Sequence, residues 1–260
     1  MKNVTAPLRY IGGKRFAIPF ILPLLGSYEE YREPFVGGAS VLSAAVERKP
    51  FALYWANDLD GDLVNFYRVL QSAPRALAAA LLNVHDRKMS LDGRLVWDEC
   101  ARPARSRLDQ AARFWLLNAC RFNGAPGRGY TQWSWAENFS RGRIEGLAAC
   151  AQLLHSVQFS EGDYERLFVA PGSSVVIYAD PPYCDNADTG FYRGHESFDH
   201  ERLREVAMAS PHRWVLSYDD SLLIRDMYAD CHVREITFPY AGNNGRLKRE
   251  LLISNRPMPQ

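Results

Sequence analysis

Val175-Val176-Ile177-Tyr178-Ala179, five apolar residues in succession and three of them β-branched, run directly into Asp180-Pro181-Pro182-Tyr183. No other stretch limits the fold as tightly. A strand with one wet face alternates apolar and polar residues, whereas an unbroken apolar run is buried on both faces, as in a parallel strand flanked by helices. The two prolines end it, because each lacks a backbone N–H and holds the residue before it extended. Shorter strands are predicted at 31–35, 51–56 (ending at Asn57-Asp58), 157–160, 214–217 and 250–254. Helices are predicted at 41–46 and 63–82, where apolar residues recur at helical spacing. Strands separated by helices give an α/β fold with a mainly parallel sheet. The segment 83–150 shows no clear strand pattern and reads as helices around the glycine-rich loop 123–129. It is expected to be an insert into a domain built from 1–82 and 151–260.

Composition excludes several alternatives. With 47% hydrophobic and 23% charged residues in 260, the chain can bury a core and is not a disordered protein. Its five cysteines include no CxxC pair, so neither a disulfide framework nor a zinc finger is expected. The apolar stretch 16–25 is interrupted by Pro19 and Pro23 and is too short to span a bilayer. A cytoplasmic protein with reduced thiols and no membrane partner is expected, and a monomer is favoured.

Charge is unevenly distributed. Residues 94–143 carry nine arginines, no lysine and four acids, a local net of +5 in a chain whose total is +1, so the remainder carries −4. Trp97, Trp115, Trp133, Trp135, Phe122 and Tyr130 lie in the same stretch. Arginine forks suit phosphates and guanine edges, and basic residues interleaved with aromatics are a nucleic-acid composition. An arginine-rich helical surface over a tryptophan core is the plain alternative.

Three motifs carry chemistry. In an open α/β sheet, ligands bind beyond the carboxyl ends of the strands. Asp180-Pro181-Pro182-Tyr183 would present there a carboxylate, a carbonyl and an aromatic ring. That set suits a planar base with an exocyclic amine: Asp180 and the Pro181 carbonyl accept its N–H groups and Tyr183 stacks on its face. At the first strand end, Pro34-Phe35-Val36-Gly37-Gly38-Ala39-Ser40 lets backbone approach a ligand. Asp58, at the next strand end, can hydrogen-bond ribose hydroxyls, although Asp60 or Asp62 could be that acid and any of them could cap a helix. Near the N-terminus, Arg9-Tyr10-Ile11-Gly12-Gly13-Lys14 reads as a turn that brings Lys14 onto a carboxylate.

Taken in this order, with Lys248-Arg249-Glu250-Leu251-Leu252-Ile253-Ser254 near the end, the motifs resemble the Dam-type family of DNA adenine-N6 methyltransferases nearly end to end. The resemblance implies a Rossmann-like mixed sheet of about seven strands with the last antiparallel, S-adenosyl-L-methionine as cofactor, no metal, and a bacterial or phage source. It places Tyr10, Gly12 and Lys14 at the cofactor, Phe35 and Gly37 along it, Asp58 on its ribose, Asp163 and Tyr164 at its adenine, and Asp180 between cofactor and target base. Pro181, Pro182 and Tyr183 complete the catalytic loop.

The substrate expected is double-stranded DNA, with a flipped-out adenine as acceptor. The DNA face is expected between Asn118 and Arg143, with Arg121 on phosphate, Phe122 and Asn123 as wedge, Arg128 on guanine, and Tyr130, Trp133 and Arg141 alongside. The family's usual continuation after Asn123-Gly124 is replaced by Ala125-Pro126-Gly127-Arg128-Gly129, so its base-reading residues do not carry over and the recognised sequence stays open. Cytosine-N4 methylation and a non-catalytic DNA-binding module are the competing readings.

Overall fold

A computed structural model describes residues 6–10, 13–121, 129–183, 198–239 and 247–259. Seven strands form one mixed sheet: β1 Glu30–Glu33, β2 Leu53–Asp58, β3 Val157–Glu161, β4 Val175–Ala179, β5 Arg213–Asp219, β6 His232–Pro239 and β7 Leu247–Ser254. Their order is β3-β2-β1-β4-β5-β7-β6. β1 to β5 run parallel, while β7 is antiparallel to both its neighbours. Helices follow in chain order: α1 Ile18–Ile21, α2 Ser40–Arg48, α3 Gly61–Ser72, α4 Pro74–Asp86, α5 Gly93–Cys100, α6 Arg107–Cys120, α7 Gln132–Glu137, α8 Arg141–Leu153, α9 Glu165–Val169, α10 His200–Ala209 and α11 Leu222–Met227.

The apolar run of β4 is buried on both sides. Val176 and Tyr178 join one core with residues of α2, α3, α4, α6 and α8, while Val175, Ile177 and Ala179 join a second with residues of α9, α10 and α11. The buried Arg32 of β1 donates to the carbonyl of Leu167 in the last turn of α9 and to those of Ala170 and Pro171 just after it. It thereby satisfies acceptors that a helix end leaves open.

Two expectations change. The single helix over 63–82 is two helices, α3 and α4. Pro74 has no N–H to continue α3 and disfavours a helical Ala73, which turns out at φ −142°, ψ 48°. The first strand stops at Glu33 rather than reaching Phe35. β6 had no separate sequence signal; its burial is irregular and it is held by β7 alone.

The segment 83–150 is not packed as a separate body. Trp115, Leu116 and Ala119 of α6, Trp135 of α7 and Ile144 and Leu147 of α8 share one core with Leu63, Phe66 and Leu70 of α3. α8 itself runs past residue 150, to Leu153. At Gly93 the packing admits no side chain, since a Cβ there would stand 2.4 Å from Tyr130 Oη and 2.7 Å from the Trp135 ring. Among the described residues, no helix is long and apolar enough to cross a membrane.

Candidate active site

Glu33, Asp58 and Asp180 stand at the carboxyl ends of the parallel strands β1, β2 and β4. β7 runs the other way, so its early residues reach the same edge of the sheet, and Glu250 pairs with Asp219 at the end of β5. Four acids thus meet where the parallel strands leave the sheet.

Lys14 lies among them. Its Nζ lies 2.8 Å from Asp180 Oδ1 and 3.6 Å from Glu250 Oε1, and its side chain is 4% exposed. The turn before it is closed by Gly13 N–H donating to the Tyr10 carbonyl. Burial works against the buried ammonium, but the two carboxylates outweigh it and raise its pKa above the ordinary lysine value. Asp180 Oδ1 also accepts from Ser217 Oγ at 2.8 Å, and Ser217 is 2.9 Å from the Tyr178 hydroxyl. Ser217 has one proton, so with that proton on Asp180 it accepts from Tyr178, and the carboxylate is fixed by a chain that starts inside the core. Tyr183 is buried, with Lys14 Nζ and Lys248 Nζ each 4.7 Å from its ring centroid. Burial raises the pKa of its hydroxyl well above normal, and no hydrogen-bond partner to that hydroxyl is seen among the described residues.

The neighbouring strand ends carry the second part of the site. Asp58 accepts Gly37 N–H at 3.0 Å and Asp60 N–H at 3.1 Å. Burial nevertheless raises its pKa to about 6. Asp60 caps α3, accepting from the N–H groups of Asp62 and Leu63, and Asp62 accepts from the Gln110 amide. Of the three acids, Asp58 is therefore the one at the strand end. Glu33 is buried and receives the Tyr31 hydroxyl; burial, with Asp180 and Asp58 close by, pushes its carboxyl well above the usual range. Gly37 has φ 43°, and a Cβ on it would stand 3.1 Å from the Tyr10 ring, so glycine both makes the turn and admits Tyr10. Phe35, Tyr164 and Phe198 form an aromatic group with centroids 5.1 to 5.8 Å apart.

A family model described as D12 class N6 adenine-specific DNA methyltransferase matches residues 10–238. The chain belongs to that family. As a D12 class enzyme it methylates adenine N6 in DNA, which excludes the cytosine-N4 and binding-module readings. It is 26% identical over 254 residues to the type II methyltransferase M1.LlaDCHI of Lactococcus lactis subsp. cremoris, covering 90% of this chain and 88% of that protein. It is 28% identical over 244 residues to the DNA N-6-adenine-methyltransferase of Escherichia phage P1, covering 87% of this chain but 31% of the phage protein. A third relative, the DNA adenine methylase of Vibrio cholerae serotype O1, is 28% identical over 210 residues, covering 75% of this chain and 71% of the relative.

Within this D12 class chain, Tyr10, Lys14, Phe35, Gly37, Asp58, Tyr164, Asp180 and Tyr183 gather along one edge of the sheet. Asp163 is engaged outside that group. One of its oxygens is 2.9 Å from Arg202 and the other accepts Glu165 N–H, and it is nearly half exposed. Gly12, Phe122, Asn123 and Arg128 lie outside the described residues. Arg121 faces the Trp97 ring at 5.5 Å, Tyr130 bonds the Gln132 side chain, Trp133 is 64% exposed, and Arg141 is paired with Asp86 and Glu145.

Sequence reasoning assigned no role to Glu33, Ser217, Lys248 or Glu250, and none to Asn118 as an anchor. Asn118 Oδ1 accepts Arg9 N–H at 3.0 Å and its amide donates to the Arg9 carbonyl at 2.7 Å, while Trp115 Nε1 donates to the Pro7 carbonyl. The Tyr10 segment is thereby fastened to α6. A buried asparagine in a helix end was the available signal.

Proposed function

We propose that this D12 class methyltransferase acts on an adenine turned out of duplex DNA, and that the edge formed by β1, β2, β4 and β7 holds both cofactor and base. The adenine N6 lone pair is delocalised into the ring and is a poor nucleophile. Asp180 and the Pro181 carbonyl would accept the two N6–H groups, which favours a more tetrahedral nitrogen and offsets the positive charge that grows on it. Tyr183 would stack on the base. Holding both reactants in line can supply about 7–11 kcal/mol in favourable cases. Turning the base out costs a few kcal/mol, which contacts to the DNA must offset. The observation that carries this reading is the double anchoring of Asp180 Oδ1 by Lys14 and Ser217 beside the buried Tyr183 ring. An acceptor fixed in this way does not have to reorganise as charge develops.

The cofactor implied by the family is S-adenosyl-L-methionine, which supplies an electrophilic sulfonium methyl. The residues present fit it. Tyr164 Oη is buried without a hydrogen-bond partner among the described residues, beside the Phe35 and Phe198 rings, and Asp58 stands at the next strand end with its carboxylate aligned by backbone N–H groups. Asp58 would hold the ribose, Phe35 and Tyr164 the adenine, and Tyr10 and Gly37 would line the cofactor beside them. Asp163, tied to Arg202, would act there only through the aromatic face of Tyr164, over which Arg202 lies at 5.0 Å.

Segment 83–150 is proposed to read DNA, with the exposed Trp133 and the half-buried Arg121 on its contact face and Phe122, Asn123 and Arg128 as further contact residues. Expression in a host free of DNA methylation, followed by sequencing that detects modified bases, tests the assignment. N6-methyladenine at a single recurring site is the expected result; no modified adenine would overturn it.

A further inference from the structure

We infer that Tyr178 and Ser217 are positioning residues for the methyl transfer: the Tyr178 hydroxyl, inside the core, holds Ser217, and Ser217 holds the Asp180 carboxylate in the direction that meets the adenine amine. This inference rests on the reading that Asp180 accepts that amine.

Strand register brings the three residues together. Side chains two apart on a strand share a face, so Tyr178 and Asp180 leave β4 on the same side. β5 lies parallel to β4 with Tyr178 beside Val215 and Ala179 beside Leu216, so the next step along both strands sets Ser217 alongside Asp180. Tyr178 and Val215 join one core while Ala179 and Leu216 join the other, which puts Ser217 on the Tyr178 side of the sheet. Tyr178 and Ser217 are both fully buried.

The protons allow one direction. Asp180 Oδ1 faces the Lys14 ammonium at 2.8 Å, and as a carboxylate it only accepts. Ser217 Oγ, 2.8 Å from that oxygen, gives its single proton there. Towards Tyr178 Oη, 2.9 Å away, Ser217 can then only accept, so Tyr178 donates. Burial raises the Tyr178 pKa well above normal and keeps that proton in place. A serine hydroxyl turns to suit its neighbours, but one that accepts from a tyrosine set in the core has its direction fixed, and each bond polarises the next.

β1 carries the same device in shorter form. Tyr31, two residues before the strand-end acid Glu33, donates to it directly. Aspartate is one carbon shorter than glutamate, and on β4 Ser217 spans the gap. Packing alone does not call for the Tyr178 oxygen, because phenylalanine would fill the same place in this apolar core without desolvating a polar group. A pair that served only the fold would show in stability and not in the rate of methyl transfer.

The test compares Tyr178→Phe, Ser217→Ala and the double variant in the full chain, with a duplex that holds one target adenine. Methyl transfer is followed in single turnover, so that product release does not mask the chemical step. Tyr178→Phe removes one oxygen and keeps the ring. Its rate should fall about threefold to tenfold, the equivalent of one neutral hydrogen bond, while affinity for S-adenosylhomocysteine, read by calorimetry, stays unchanged. Ser217→Ala should lose at least as much. In the Ser217→Ala background Tyr178→Phe should cost nothing further, since its path to Asp180 is gone. An unaltered rate in Tyr178→Phe would overturn the inference, as would a loss that follows cofactor affinity, or two losses that simply multiply in the double variant. Should Tyr178→Phe not fold, Ser217→Ala decides: a reduced rate at unchanged cofactor affinity supports the inference, and a wild-type rate defeats it. Failure of the underlying reading is seen separately, as near-full activity in Asp180→Ala.

Discussion

Lys14 and Arg94 each meet a carboxylate, in opposite settings. Lys14 is 4% exposed and its partners come from β4 and β7, far away in sequence. Arg94 is 62% exposed and pairs with Asp98 one helical turn on, within α5. Arg102, 72% exposed just beyond α5, pairs with Glu99, and Arg113, only 14% exposed, pairs with Asp109 one turn before it in α6. Exposed pairs along one helix contribute little, because water already solvates both ends. A buried ammonium between two carboxylates exists only if the fold compels it, and breaking it leaves an unpaired charge in the core. The net of +5 over 94–143 already includes Asp98, Glu99 and Asp109, the partners of Arg94, Arg102 and Arg113; Arg141 is paired in addition with Asp86, outside the segment. Arg143 lies over Trp115, where burial lowers its pKa to about 10, and stays charged at neutral pH.

The comparison is sharpest at Asp180. Asp180→Ala removes the amine acceptor and the nearer of the two carboxylates at Lys14, so kcat should fall about 10²- to 10³-fold or more, measured by methyl transfer to a single-site duplex. A fold check by circular dichroism separates this from unfolding. Turnover near that of the unaltered enzyme would remove Asp180 from the chemistry.

Asp58 gives the next effect. Losing a hydrogen bond from a charged partner costs roughly 1.5–3 kcal/mol, so Asp58→Ala should weaken S-adenosylhomocysteine about tenfold to a hundredfold by calorimetry. Its carboxyl titrates at about 6. Affinity should therefore decline as pH falls through that value, because the protonated form loses an acceptor, and Asp58→Asn should abolish that pH dependence. The sign for folding is the reverse. A carboxyl whose pKa is raised in the folded state disfavours the fold when ionised, so this group costs stability above pH 6 and ceases to do so as pH drops towards 4.

Asn118→Ala tests how the Tyr10 segment is fastened to α6. It leaves two backbone groups of Arg9 unpaired and should cost about 1–3 kcal/mol, read by denaturant unfolding. Cofactor affinity should drop with it, since Tyr10 is no longer held against Gly37. Unchanged affinity would mean that the Trp115 bond to Pro7 suffices.

Arg94, which is exposed, and Arg121, which is half-buried over Trp97, should give the smallest changes. Arg94→Ala should shift stability by no more than about 0.5 kcal/mol and leave DNA binding unaltered. Arg121→Ala should weaken binding to all duplexes alike and reduce the salt slope by about one. Equal effects of the two on DNA binding would mean that the distinction drawn between them is wrong.

The resemblance carried the sheet and its last antiparallel strand, and the motifs carried the edge at which Asp180 and Tyr183 stand. The reason is local: an unbroken β-branched run, a double proline and glycines after strands each act within a few residues. The break between α3 and α4 is equally local, because Pro74 has no N–H with which to continue a helix. Other features could not be read locally. Asp163 is drawn to Arg202 on α10, and Glu250 meets Lys14 because β7 is antiparallel and brings the start of its strand to the edge where parallel strands end. Which charges become buried partners depends on strand order and direction. Sequence by itself determined where the chemistry-bearing loops leave the sheet; only the tertiary structure decided which distant lysines and acids fix them, because burial makes a charge pair strong and only the folded chain creates burial.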